Sequence, residues 1–131
     1  GASGVALNKN NGQIVWQSAQ SESGYVTPVP FTTADGKTQI AIFGKDSLMA
    51  VNPADGAVQW SYPWITQHNV NAADPIIAAD EVFITSGYNH GATLLKINAS
   101  PTPIWENRNM RSQMSGPVRI GAGETLRFTR S

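Results

Sequence analysis

One sequence phrase recurs three times in this chain and constrains its fold more than any other feature. It consists of a short apolar stretch, a turn, and a second stretch that ends in tryptophan. The clearest copy runs from Ala50 to Trp60, an earlier copy ends at Trp16, and a degraded copy ends at Trp105. The three tryptophans are 44 and 45 residues apart. A fixed period of this length is typical of a β-propeller or another array of repeats.

The segments between the tryptophans predict short strands joined by tight turns. Gly12 and Gly56 stand in the turns of the first two copies, where glycine accepts the positive φ that tight hairpins require. Residues 39–43 are an almost continuous apolar run, which favours a strand buried on both faces. Glycine and proline interrupt every segment, and no stretch keeps the 3.6-residue apolar period of a helix. We therefore predict an all-β chain.

Dividing the predicted strands by the repeat gives four-stranded antiparallel blades, with strands named A to D. We predict strands C and D of one blade in 1–24, complete blades in 25–66 and 67–109, and strands A and B of a further blade in 110–131. That is twelve strands, about three blades' worth of a partial β-propeller. In the third copy, Pro101-Thr102-Pro103 replaces the glycine turn, and residues 121–131 fit the pattern poorly.

Propellers close with four to eight blades, so we expect the partial array to be completed by oligomerisation. The favoured arrangement is a homodimer, because symmetric closure is the usual solution for soluble homo-oligomers. Strands A and B of one copy would pair with strands C and D of the other and form a six-bladed ring. Another oligomer, or a piece excised from a longer propeller, stays open at this point.

The composition narrows the classes of partner. Charged residues make up 14% of the chain, and nine basic side chains balance nine acidic ones, which argues against nucleic acid. No run approaches the roughly 18 apolar residues of a membrane helix, so we expect no membrane insertion. Cysteine is absent, so the sequence predicts neither a disulfide nor a thiolate metal site. The first residues lack the pattern of a signal peptide.

The phrase at 50–60 has the form A-x-N-x-x-x-G-x-x-x-W and resembles the tryptophan motif of the pyrroloquinoline quinone (PQQ) repeat propellers, which are quinoprotein dehydrogenase-like. Residues 71–77 and 82–88 resemble bacterial PQQ-binding-like propeller proteins, and the similarity extends from Val5 to Val118. The resemblance implies a bacterial origin and a periplasmic or extracellular location. It also implies roles for five residues in blade packing and turns: Trp16, Trp60, Trp105, Gly12 and Gly56.

The resemblance says less about function, because such propellers include quinone-dependent alcohol dehydrogenases, an outer-membrane assembly lipoprotein and various binding proteins. The dehydrogenases hold the quinone between a tryptophan and a disulfide of adjacent cysteines, beside a calcium ion. This chain has no cysteine and no match to the calcium ligands, so we expect neither PQQ nor calcium. We predict a non-catalytic scaffold or binding module. The alternative is a fragment of a PQQ-dependent or carbohydrate-acting enzyme whose catalytic residues lie outside this chain.

Loops that join strand D to the next strand A are the predicted ligand face, since propellers usually bind ligands there. Aromatic, amide and arginine side chains in these loops suit a small polar molecule, a sugar or a peptide. The candidate residues are Tyr62, Trp64, His68, Asn69, Asn71, Arg108, Arg111 and Gln113. They could instead be solvated loops with blade-packing aromatics. His68 and His90 are the only histidines, so no metal or catalytic residue is predicted.

Overall fold

The computed structural model describes residues 2–18 and 22–121 and the backbone of 125–127. Twelve strands are present in this part of the chain, and it contains no helix. The strands are β1 (Val5–Leu7), β2 (Ile14–Gln17), β3 (Val29–Thr32), β4 (Thr38–Phe43), β5 (Ser47–Val51), β6 (Val58–Pro63), β7 (Ile76–Ala78), β8 (Glu81–Ser86), β9 (Gly91–Ile97), β10 (Pro101–Asn107), β11 (Val118–Ile120) and β12 (Thr125–Arg127). The predicted all-β class is confirmed.

The strands form four antiparallel sheets whose order follows the sequence. β1 pairs with β2, β3 to β6 form a four-stranded sheet, β7 to β10 form a second, and β11 pairs with β12. This is the blade arrangement of a partial β-propeller. The edge position of β10 explains its two prolines, Pro101 and Pro103, because an edge strand can lack an N–H without breaking the sheet.

Two predicted strand boundaries are wrong. Strand A of the blade predicted in 25–66 was expected to begin at Tyr25. It is β3, which begins at Val29, because the preceding backbone bonds to the next blade. The N–H of Tyr25 donates to the Asn71 carbonyl at 3.1 Å, and that of Thr27 donates to Asp74 Oδ1 at 3.0 Å. Pro101 was expected in a turn and lies in β10 instead. The last strand was predicted over Thr125 to Thr129, and residues 128 and 129 lie outside the described residues.

The core lies between the two complete sheets. Ala41, Ile42 and Phe43 are consecutive and all buried, so β4 is covered on both faces as its apolar run predicts. Phe43 belongs to the large cluster that also contains Ile84 and Leu95 of the neighbouring sheet. Each such side chain contributes about 1.5–3 kcal/mol when it is fully buried. Apolar contact between sheets therefore holds the blades together.

Trp16 of the β1–β2 sheet packs against a turn of the next blade. The Trp16 indole N–H donates to the Pro53 carbonyl at 2.8 Å. Gly56, with φ 73°, lies under the indole ring, where a Cβ would overlap ring atoms. Glycine is needed at this position for both its positive φ and its lack of a side chain. The contact ties the β1–β2 sheet to the turn between β5 and β6.

Candidate functional site

Two loops and one turn meet at one end of the second complete blade. The loop 64–71 precedes β7, and the loop 108–113 precedes β11. The turn 87–90 joins β8 to β9. Gly91 closes this hairpin opposite Ser86 with φ 121°, and a Cβ at this position would overlap the Asn107 carbonyl oxygen. Only glycine fits so close to a neighbouring backbone. The turn is therefore held in a defined position between both loops.

Asn71 is fully buried and hydrogen-bonded through its side chain to two blades. Its Nδ2 donates to the carbonyls of Gly44 at 2.9 Å, Lys45 at 3.1 Å and Trp64 at 3.3 Å. Its Oδ1 accepts from the Ser86 hydroxyl at 2.6 Å. Buried amides persist only when such partners are present. Asn71 thus connects the end of one sheet to the end of the next, beneath the predicted ligand face.

Trp64 extends the same buried chain of hydrogen bonds. Its indole N–H donates to Ser86 Oγ at 2.9 Å, so the serine hydroxyl accepts from Trp64 and donates to Asn71. The His90 ring meets the Trp64 indole edge-on, with ring centroids 4.3 Å apart. An edge-on pair of this kind favours a fixed orientation of both rings. The Ser86 hydroxyl is therefore hydrogen-bonded on both sides within the fold.

Four exposed side chains lie above the buried hydrogen bonds of Trp64, Ser86 and Asn71. We call these four residues the loop face: His68, Tyr88, Asn89 and Arg111. The rings of His68 and Tyr88 meet at 4.6 Å, and Arg111 Nη1 donates to Asn89 Oδ1 at 2.6 Å. Tyr88 and Asn89 adopt φ values of 52° and 57°, a left-handed conformation that turns both residues sharply. Each flanking loop therefore contributes one residue that is paired with the turn.

The remaining predicted residues surround the loop face. Tyr62 is half-buried against the core, and burial, followed by the Glu106 carboxylate, raises the pKa of its hydroxyl. Gln113 packs on Gly87, while Asn69 and Arg108 are exposed. The structure thus brings His68 and Arg111 to one surface and places Trp64 and Asn71 beneath it. The ligand role of these residues stays a prediction.

Sequence reasoning missed Ser86, at the end of β8, and the turn residues Tyr88 and Asn89 as part of this site. From the sequence, Gly87 to Gly91 is predicted only as a longer turn between two strands. Its contacts with both loops depend on how consecutive blades pack, which no local pattern reports.

Comparison with known proteins identifies the family. Residues 1–127 match the family model described as outer membrane protein assembly factor BamB, which is built of PQQ repeats. The chain belongs to this PQQ-repeat family. It is also 32% identical to a quinoprotein ethanol dehydrogenase of Pseudomonas aeruginosa over a 96-residue alignment that covers 60% of this chain. The alignment spans only 15% of the length of that dehydrogenase.

Two observations on this PQQ-repeat chain concern the cofactors that the resemblance implies, and the expectation that it holds neither PQQ nor calcium stays a prediction. In the described part of the chain, no three His, Cys, Asp or Glu side chains converge on a point where a metal ion could bind. The adjacent-cysteine disulfide expected beside the quinone cannot form, since the sequence has no cysteine. The described residues also include no helix suited to crossing a membrane.

A cleft of about 450 Å³ opens at the opposite end of the blades, beside Trp60. The third copy of the PQQ-repeat turn, at Asn98–Ser100, has no glycine to seat an indole ring. The Trp60 N–H donates instead to Gln39 Oε1 of its own blade at 3.1 Å. The two complete blades therefore lack, at this cleft, the packing of an indole on a glycine turn that Trp16 makes with Gly56.

The stability of the fold should fall on acidification because of His90. Partial burial lowers the pKa of His90 from its ordinary value, with Glu106 opposing and Arg108 adding to the shift. The folded state therefore binds the proton less tightly than the unfolded chain, so this stability is present above the unfolded pKa and lost below it. We expect His90→Phe, which keeps a ring beside Trp64, to lose less thermal stability than wild type below about pH 6.5. Equal losses in thermal melts of both proteins would contradict this.

Proposed function

We propose that this chain is a non-catalytic propeller module that binds an extended polypeptide segment on the loop face. The observation that carries the proposal is the loop face itself, an exposed aromatic, amide and guanidinium surface held on a buried hydrogen-bonded base. Tyrosine and arginine are enriched where proteins bind other proteins. A surface whose base is already ordered loses little conformational freedom on binding, which favours affinity.

Exposed apolar side chains near the loop face favour a polypeptide over a free sugar. Tyr25, Ile65 and Met114 are all exposed, and each lies in a different loop that leads to an inner strand. Apolar side chains grouped at one end of a molecule and mixed with polar ones are typical of protein-binding sites. A peptide offers both backbone hydrogen bonds and apolar side chains to such a surface.

The family supports a location in the cell envelope. The matching family model is described by an outer-membrane assembly factor. A periplasmic or extracellular module that binds polypeptide segments agrees with that description, and we include this location in the proposal.

The second candidate function is a portion of a PQQ-dependent enzyme, which the identity to the quinoprotein ethanol dehydrogenase favours. Titration with PQQ and calcium separates the two candidates. The binding-module proposal expects no change in PQQ absorbance and no shift in melting temperature. A saturable change in either would instead support the enzyme.

Panning a random-peptide phage library against the 131-residue chain tests the proposal directly. We expect enriched peptides whose affinity falls about tenfold or more in Arg111→Ala and Tyr88→Asn, as is usual for central interface residues. Asparagine at position 88 keeps the left-handed backbone and removes only the ring. Binding of the enriched peptides would be measured by calorimetry.

Lys9→Ala is the matched control, since Lys9 is an exposed basic residue at the opposite end of the blades. It should leave peptide affinity unchanged. The proposal is wrong if no peptide is enriched, or if the enriched peptides bind wild type and the loop-face variants equally. Binding on a glycan array without any peptide binding would assign the surface to sugars instead.

A further inference from the structure

The cleft beside Trp60 is part of a longer groove between the two complete blades. A second cavity of about 230 Å³ shares Gln39 and Gln59 with the cleft and extends to Asn52, and we call the two cavities together the groove. The β3–β6 sheet and its turns provide one wall, and residues 97–99 of the next blade provide the other. The cleft alone, at about 450 Å³, is within the range of about 300–1,000 Å³ that small-molecule sites occupy.

The position of the Trp60 indole explains why this space exists. At the preceding joint, the Trp16 indole reaches the next blade and packs on Gly56. Trp60 instead bonds within its own blade, to Gln39. Trp60 and Ile97, which are 6% and 5% exposed, line the groove as its apolar base. The groove is thus bounded by side chains that the core holds in place.

Four side-chain amides along the groove have unused hydrogen-bonding groups. Gln39 Oε1 accepts from the Trp60 indole, and Gln59 Nε2 donates to a backbone carbonyl at 3.0 Å. Asn52 Oδ1 accepts a backbone N–H at 2.9 Å. Among the residues that the structure describes, the other half of each of these three amides has no partner, and neither has the side chain of Asn98. Because an amide carries both a donor and an acceptor, the groove offers both to a ligand.

The charges along the groove cancel. Lys37 Nζ lies 2.9 Å from Asp35 Oδ2. The Thr33 hydroxyl, followed by Lys37, holds the pKa of Asp35 at about 2, so the carboxylate stays ionised at neutral pH and balances the lysine. Within the described chain, these two are the only charged residues that line either cavity. The groove therefore favours an uncharged ligand over a phosphate or an acidic peptide.

We propose that the groove binds a short neutral saccharide. Saccharide hydroxyls both donate and accept hydrogen bonds, which matches amides that offer both. The apolar C–H face of a sugar ring fits the base formed by Trp60 and Ile97, and small-molecule sites usually combine apolar lining with a few placed polar groups in this way. The groove lies at the end of the blades opposite the loop face, so the proposal does not depend on peptide binding there.

The indole N–H resonances of the tryptophans test the proposal on the 131-residue chain. After assignment of the ¹⁵N spectra, maltotriose, cellotriose and triacetylchitotriose would each be titrated to millimolar concentration. We expect at least one of them to shift the Trp60 indole resonance saturably. The Trp64 indole resonance should stay in place, because Trp64 lies beneath the loop face. A shift of Trp64 without a shift of Trp60 would assign the saccharide to the loop face and overturn the proposal.

Gln59→Ala and Asn98→Ala should each raise the dissociation constant of that saccharide about fivefold, as expected for the loss of one hydrogen bond. Both side chains are exposed, so both variants should fold like wild type. Gln67→Ala is the matched control, because Gln67 is an exposed glutamine in the loop 64–71 at the other end of the blades. It should leave the affinity unchanged.

Three further results would each overturn the proposal. The first is that no saccharide shifts the Trp60 resonance. The second is that Gln59→Ala and Asn98→Ala bind the saccharide as tightly as wild type does. The third is that inorganic phosphate, or the neutral peptide N-acetyl-trialanine amide, shifts the Trp60 resonance as strongly as every saccharide.

Discussion

Asn71→Ala is expected to destabilise the fold by about 3 kcal/mol or more, because it removes four hydrogen bonds of a fully buried side chain at once. The Ser86 hydroxyl loses its acceptor, and the Gly44 carbonyl loses a donor in a place that water does not reach freely. Asn71→Asp should be at least as harmful near neutral pH, since a carboxylate would face three carbonyl oxygens. Urea denaturation followed by tryptophan fluorescence measures both effects.

Asn109→Ala serves as the control for Asn71. Asn109 is an exposed asparagine in a loop of the same end of the molecule, and its replacement should change the stability by no more than about 0.5 kcal/mol. Equal urea midpoints for Asn71→Ala and Asn109→Ala would show that the buried amide is dispensable. The loop face would then need another explanation for its order.

Gly91→Ala is the second large effect that we expect, at about 3 kcal/mol or more. A φ of 121° strains any residue with a side chain by about 1–3 kcal/mol. The new Cβ would also overlap the Asn107 carbonyl oxygen and lie 3.1 Å from the Cα of Arg108. Both neighbours are backbone atoms of the adjacent strand and loop, so they cannot rotate away. Thermal unfolding by circular dichroism measures the loss.

Gly36→Ala separates backbone strain from overlap with neighbours. Gly36 also has a positive φ, but its surroundings are open, so alanine should cost only about 1 kcal/mol there. Similar losses for the two variants would mean that the neighbouring strand yields to the Cβ. Because Gly91 closes the hairpin that carries Tyr88 and Asn89, Gly91→Ala should also weaken binding at the loop face.

The repeat was sufficient to predict the class of fold. The spacing of Trp16, Trp60 and Trp105 and the glycine turns predicted antiparallel blades, because these features are local and recur in phase. The start of β3 could not be predicted in the same way. The N–H groups of Tyr25 and Thr27 are satisfied by residues 46 and 47 positions further along the chain. No local pattern distinguishes such a segment from a strand.

The candidate site was predictable in part for a related reason. Residue type and loop position placed His68 and Arg111 on a surface, and the structure agrees. The same reasoning treated Asn71 as a surface residue, because asparagine is usually exposed. Its burial depends on carbonyls from another blade and on Ser86, so only the packed structure reveals it. The turn at Tyr88 and Asn89 was missed because its partners lie in distant loops.

All four sheets join strands that are neighbours along the sequence, and this order has a consequence for synthesis. Each hairpin can pair as soon as its second strand leaves the ribosome, because it waits for no distant segment. Short loops close quickly and at little entropic cost. We therefore expect each blade to fold on the emerging chain before the next blade is synthesised. The next blade can then pack against a sheet that is already folded.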